Sequence, residues 1–209
     1  MTVEVSKVYL LDVATGEGVE AELRDAIEQA QIDDWAKHWI PVVLAAIQDL
    51  VARQVPRADW PQSLHWNWPK KITRVQGMLA FPGFSVVAQG VTQGLAQLDL
   101  TRGCQEPGQK GKPLVYVEYL EVAPWNRSEL GATPRLRGVG TVLLTAAIAL
   151  SYEEGFKGRI GLHSLPQADA FYRRIGMTDL GPDPACQNLR YFEMTVEQAR
   201  AFFEKEEGR

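Results

Sequence analysis

The stretch Arg135-Leu136-Arg137-Gly138-Val139-Gly140 runs directly into Val142, Leu143, Ala146, Ala147 and Leu150, apolar residues at helical spacing that continue to a stop at Gly155. A glycine- and arginine-bearing turn therefore opens a long amphipathic helix from Val139 to Glu154. Glycine lets a backbone come close to a ligand, and the first amides of a helix have no intrahelical acceptor and sit at the positive end of its dipole. Such a turn suits a pyrophosphate, with Arg135 and Arg137 adding charge. Two other phosphate motifs fail: the dinucleotide fingerprint needs glycine where Leu143 stands, and the P-loop needs a Gly-Lys-Ser/Thr that is absent. Taken alone, the motif also fits any glycine-containing loop before a helix, so the surroundings decide.

Upstream, candidate strands near Met78–Ala88, Gly94–Leu100 and Leu114–Val122 are separated by turn chemistry at Gln89-Gly90 and across Gly103–Lys112, which predicts an antiparallel meander. Lys7–Val13 reads as a first strand ended by the turn residues Ala14 to Gly18. Val19, Leu23, Ile27 and Ala30, and then Val43, Leu44, Ile47, Leu50 and Val51, recur at helical spacing and predict two helices. Pro41 either occupies a first-turn position or kinks one longer helix. Trp60–Lys71 has no clean period and reads as an irregular packed segment. Downstream come a short strand at Gly158–His163, a short helix at Gln167–Arg174 closed by Gly176, and a last strand at Asn188–Met194. Thr195-Val196-Glu197-Gln198 is a capping box opening a C-terminal helix. With no repeat or linker, the expectation is a single α+β domain over 1–209: an opening part at 1–75, a core at 76–194 and a C-terminal helix at 195–209.

The 209 residues, 45% of them hydrophobic, suffice for one sizeable core. A formal net charge of -4 gives no electrostatic footprint for nucleic acid or an anionic membrane. The opening residues lack the basic and apolar regions of an export signal, and the best apolar run, Trp39 to Ile47, is too short to span a bilayer. A soluble, cytoplasmic protein is expected. Cys104 and Cys186 offer neither metal-ligand spacing nor a disulfide framework, so no metal is expected.

Three blocks in order, Leu120-x-Val122-x-Pro124, Arg135-x-x-Gly138-x-Gly140 and Ala168-x-x-x-Tyr172-x-x-x-Gly176, resemble the signature of the GNAT acetyltransferase superfamily. The resemblance covers Phe84 to Met194, the first strand and two helices being placed by analogy. It implies a twisted, mixed, mostly antiparallel sheet flanked by helices and split between its fourth and fifth strands to admit the pantetheine arm of acetyl-CoA, the implied co-substrate. Backbone groups of Leu120, Glu121 and Val122 would pair with pantetheine, while Arg135, Arg137, Gly138, Val139, Gly140 and Thr141 would surround the pyrophosphate. Tyr172 would lie near the thioester sulfur, where a phenol suits the protonation of a departing thiolate; the alternative is a tyrosine packed beside Phe171. A base for the amine is sought on the cleft strand, where alternation sends Glu118 and Glu121 to opposite faces. Glu118, sharing parity with Leu120 and Val122, is the candidate, against a solvated or ion-paired strand carboxylate. His163 is either a second base or a capped structural histidine.

The chain departs from the family pattern in places. Trp125–Pro134 is an insertion of ten residues at the mouth of the cofactor site, either a lid or acceptor wall or a tolerated loop. Leu165 stands where an asparagine is usual, and Leu136 where a glycine is common. His65, Trp66 and Trp68 read either as an acceptor pocket or as core, and Arg102, Lys110 and Lys112 as a solvated hairpin loop. The expected function is N-acetyl transfer from acetyl-CoA to a primary amine of a small-molecule or peptide acceptor, with a homodimer open as the assembly. The alternative is a non-catalytic acyl-CoA-binding sensor or partner-binding module. A toxin-type enzyme acting on charged tRNA would want a basic surface, which the charge does not provide.

Overall fold

Residues 2–130 and 133–207 are described by a computed structural model of the chain; Gly131 and Ala132 of the insertion, and the residues past Glu207, lie outside them. Strand β1 (Val5–Asp12) ends where the Asp12 carboxylate accepts the amides of Ala14 and Thr15 at 2.8 and 3.1 Å, and the chain returns as β2 (Gly18–Arg24). The helix expected from Val19 onward is thus a strand, antiparallel to β1 from Val5↔Arg24 to Leu11↔Gly18. Val19 and Leu23 fit the helical spacing, but together with Ala21 they also fit a period of two. Strand neighbours on both sides capture the segment.

Helix α1 (Gln29–Asp34) begins only after Glu28, which forms a reciprocal capping box with Gln31. It continues through a π turn at Trp35–Trp39 into α2 (Ile40–Ala52), so the second expected helix belongs to one longer run that passes through Pro41. The Ile40 amide donates to the Trp35 carbonyl, and the widened turn sits just before Pro41, which cannot donate. Trp35 and Trp39 are buried, whereas α2 buries none of its residues and leaves Leu44 and Val51 53% and 60% exposed. Helical periodicity there does not translate into burial. The tryptophan-rich stretch is irregular through Gln62–His65, but then forms α3 (Trp68–Val75), capped by Asn67, whose side chain accepts the Lys70 amide at 2.9 Å.

Strands β3 (Gly83–Ala88) and β4 (Val91–Asp99) are joined by Gln89-Gly90, both at positive φ, 53° and 72°, as a two-residue hairpin requires. There follow β5 (Val115–Val122), the two-residue β6 (Leu136–Arg137), α4 (Val139–Glu153), β7 (Ile160–Ser164), α5 (Asp169–Arg174), β8 (Thr178–Asp183), β9 (Leu189–Met194) and α6 (Val196–Glu207). The expected capping box opens α6: the Gln198 amide donates to Thr195 Oγ1 and the Thr195 amide to Gln198 Oε1. Strand β8, absent from the sequence reading, contains Gly181-Pro182, and its register with β9 shifts between Asp179 and Pro182.

Hydrogen-bonded neighbours run in the order β6-β1-β2-β3-β4-β5-β7-β9-β8. The fold is a mixed, mostly antiparallel α+β sheet with flanking helices, as expected. Its parallel neighbours are β5 and β7, the fourth and fifth strands of the sequence reading, and they pair at Val115–Ile160 and Tyr116–Gly161.

The chain divides into two compact units, Met1–Ala96 with Leu120–Leu143, and Gln97–Tyr119 with Leu144–Arg209. The first is built on Leu10, Ala21, Val86, Ala96, Val139 and Leu143. The second buries Leu114, Leu144, Ile148, Ile160, Leu162 and Phe192. Among the described residues, no helix is long and apolar enough to cross a membrane.

Candidate active site

In the first unit, β6 fixes the approach to the glycine turn by pairing Arg137 with Leu11 and Leu136 with Asp12. The Val13 amide donates to the Arg135 carbonyl at 2.9 Å, and the Leu136 amide to Asn126 Oδ1 at 2.9 Å. Gly138 has φ 100°, a conformation other residues rarely adopt, although a side chain there would meet only Leu10 at 3.6 Å. Backbone conformation, not space, calls for glycine. The start of α4 lies close on β4 at Gly94, where a Cβ would fall 2.5 Å from Val139 Cγ1 and 2.9 Å from Leu143 Cδ1. Arg135, Arg137 and Gly138 are exposed, Gly140 and Thr141 half-buried, and Val139 and Leu136 buried. The turn thus presents two cations and a helix start to solvent over an apolar footing, a local arrangement suited to phosphate groups.

Leu120 and Val122 pack against the first unit's core. Between them Glu121 is buried and accepts Trp68 Nε1–H at 2.7 Å and Arg127 Nη1–H at 3.1 Å. Burial raises its pKa, and Arg127 and the Trp68 hydrogen bond oppose the rise. Arg127, itself buried, also donates to Ser63 Oγ at 2.7 Å and to Glu129 at 2.8 Å. The Glu121 side chain is therefore spent on holding this cluster, and its backbone is what remains for a ligand. Trp68 is fully buried, the core alternative of the sequence reading.

The root of the insertion is fixed by Gln93, whose Oε1 accepts Trp125 Nε1–H and Asn126 Nδ2–H, each at 3.0 Å. Trp125, Thr133 and Pro134 form one wall of a cavity of about 700 Å³, which His38, Val42 and Gln89 also line. The Arg135 guanidinium lies over the Trp125 ring at 5.6 Å.

In the second unit, Tyr172 is buried on α5 with its ring against Phe171 and Phe192, at centroid distances of 5.3 and 5.6 Å. Burial, and secondarily the Asp169 charge, raises its pKa, so the phenol stays protonated. A protonated phenol is the form a general acid needs. Packing and proton donation are compatible roles at this position.

Glu118 is half-buried, with Oε2 4.0 Å from Arg102 Nη2. Arg102 is not a free loop cation: it is held by Asp99 at 2.9 Å and lies 5.1 Å over the Tyr116 ring. Along β5, Tyr116, Glu118, Leu120 and Val122 are half-buried, while Val115, Val117 and Glu121 are buried and Tyr119 between them is half-buried.

His163 joins two residues that the sequence reading did not single out. Its Nδ1 lies 2.6 Å from Tyr116 Oη and its Nε2 lies 3.0 Å from Asp183 Oδ2. The signal for Tyr116 is register: pairing Tyr116 with Gly161 sets the phenol on the strand face that carries His163, two residues on. Asp183 arrives from β8, which the sequence pattern did not reveal.

No protein-family model matches the chain, and no curated protein matches it. Solved structures do. An uncharacterised protein from Bacillus halodurans aligns over 96% of each chain at 10% identity, with a TM-score of 0.55. Mycobacterium smegmatis RimJ in complex with CoA-disulfide aligns over 98% of this chain and 95% of that one, at 15% identity and a TM-score of 0.53. A proposed acetyltransferase of the GNAT family from Desulfovibrio desulfuricans aligns over 84% of this chain and 99% of that one, at 12% identity and a TM-score of 0.50. The chain has the GNAT fold.

Proposed function

We propose that this protein transfers an acetyl group from acetyl-CoA directly to a primary amine. The observation that carries the reading is the turn at Gly138, whose positive φ and exposed flanking arginines open α4 as an anion-accepting helix start within a GNAT fold. Amides across Arg137–Thr141 would receive the pyrophosphate, with Arg135 and Arg137 balancing its charge, and backbone groups of Leu120, Glu121 and Val122 would pair with the pantetheine arm. The neutral amine attacks the thioester carbonyl, the carbon–sulfur bond breaks, and its electron pair leaves on sulfur. Tyr172 gives its proton to that sulfur, and the amine's proton passes to Glu118, leaving an amide and free coenzyme A thiol. The protonated phenol of Tyr172 is the state its role requires, and Glu118 is half-buried on β5.

Binding and chemistry are tested separately. Acetyl-CoA at a hundredfold excess over its Kd should add about 2.7 kcal/mol to native stability. An amine library with thiol detection should then show acceptor-dependent release of coenzyme A. A thermal shift with no thiol release from any amine would mark a binding module instead, and no shift at millimolar acetyl-CoA would overturn the reading at its base.

A further inference from the structure

We propose that His163, Asp183 and Cys186 form a binding site for a borderline divalent cation, zinc(II) being the one their chemistry fits. One donor atom from each residue, an imidazole nitrogen, a carboxylate oxygen and the thiol sulfur, lies within 4.8 Å of the others. Ligands around tetrahedral zinc stand about 3.3–3.8 Å apart given its bond lengths, so the His163–Asp183 pair, 3.0 Å apart, opens slightly and the Cys186 thiol closes in to complete the geometry. Nitrogen, thiolate and carboxylate together suit zinc, whereas magnesium and calcium prefer oxygen alone.

The surroundings of each donor match this role. A metal-bound histidine presents one nitrogen to the ion and gives the other N–H to an outer acceptor, which fixes tautomer and ring orientation. Here Tyr116 Oη lies 2.6 Å from Nδ1, leaving Nε2 directed toward Asp183. Asp183 divides its oxygens: Oδ1 accepts the Ala185 amide at 2.9 Å, and Oδ2 faces His163. Cys186 closes a 3-10 turn at Pro184–Cys186 that is followed by two left-handed residues, Gln187 and Asn188, at φ 57° and 59°. The Asn188 amide donates to the Asp183 carbonyl at 3.0 Å, tying the turn shut with the cysteine inside it. A thiolate and a carboxylate supply two negative charges against the ion's two positive ones. The guanidinium of Arg102 is engaged by Asp99 at 2.9 Å. Three protein ligands leave a fourth tetrahedral position for water. None of the three residues takes part in the acyl-transfer proposal, so this inference stands apart from it.

The test uses the full-length chain, stripped with chelator under reducing conditions and titrated with zinc(II) against a chromophoric chelator, and separately with cobalt(II). One equivalent of metal should bind, and the cobalt form should show a thiolate-to-metal charge-transfer band, which reports Cys186 directly because Cys104 is buried elsewhere. Cys186→Ser should remove the band and Asp183→Asn should weaken zinc binding, both with unchanged far-ultraviolet circular dichroism. Tyr116→Phe keeps all three ligands and removes only the outer partner, so it should cost about 10–100-fold in affinity. Sub-stoichiometric zinc binding, a cobalt complex without the charge-transfer band, or zinc affinity unchanged in Cys186→Ser would each overturn the proposal.

Discussion

Replacing Arg127 by methionine would leave the Glu121 carboxylate buried with the Trp68 indole hydrogen bond and the charge of Lys71 still beside it, but without its paired guanidinium. Glu121 and Arg127 have side chains only 8% and 5% exposed, so solvent does not take over when the guanidinium goes. Breaking a buried pair by removing one partner costs about 3–5 kcal/mol, which for a chain of this size lowers Tm by about 6–20 °C. Burial already raises the Glu121 pKa in the intact protein, and loss of Arg127 removes the first opposing influence. An acid whose pKa is raised in the folded state favours folding when protonated. The variant's deficit should therefore be smallest below the ordinary glutamate range, about pH 4.3, and grow as pH rises through the higher folded value. Adding Glu121→Gln removes the stranded charge and keeps an acceptor for Trp68, so the double variant should recover most of the loss. The assay is thermal and urea unfolding of the single and double variants across pH. A loss under about 1 kcal/mol at pH 7, the range of an exposed pair, or a deficit that does not shrink on acidification, would refute the reasoning.

Two predictions address the proposed chemistry. Tyr172→Phe keeps the ring contacts with Phe171 and Phe192 and removes the proton donor, so turnover should fall by about 10²-fold at an unchanged acetyl-CoA Kd; full turnover would remove Tyr172 from the mechanism. Gly138→Val forces a β-branched residue to φ 100°, which should both destabilise the turn and weaken acetyl-CoA binding in calorimetry. An unchanged Kd would show that the phosphates bind elsewhere.

The parts of the fold legible in sequence were those where local chemistry and tertiary context agree. The Gln89-Gly90 hairpin, the helix after Gly138 and the Thr195 capping box each carry a residue-level reason for their conformation, and each forms. Gly18–Arg24 reads as helix because Val19 and Leu23 fit helical spacing as well as, with Ala21, a period of two, and the pairing with β1 and β3 selects the strand. Strand β8 was missed because Gly181 and Pro182 read as a break, while across the sheet they coincide with a register shift against β9. At the candidate site, the glycine turn is visible as a motif, whereas the ion pairing of Glu118 with Arg102 depends on a contact that strand parity does not reveal. The cluster around His163 was invisible for a different reason. Spacing rules look for ligands close in sequence, whereas Tyr116, His163 and Asp183 are brought together by strand register.

The two ends of the insertion are stitched to each other. The Arg135 amide donates to the Trp125 carbonyl at 3.3 Å, the Leu136 amide donates to Asn126 Oδ1 at 2.9 Å, and Gln93 holds Trp125 and Asn126 from β4. The chain thus leaves and re-enters the sheet through one clasp. A change in the insertion that spares Trp125, Asn126 and Arg127 keeps both the clasp and the buried Arg127–Glu121 pair, so such a change should leave the turn at Gly138 in place.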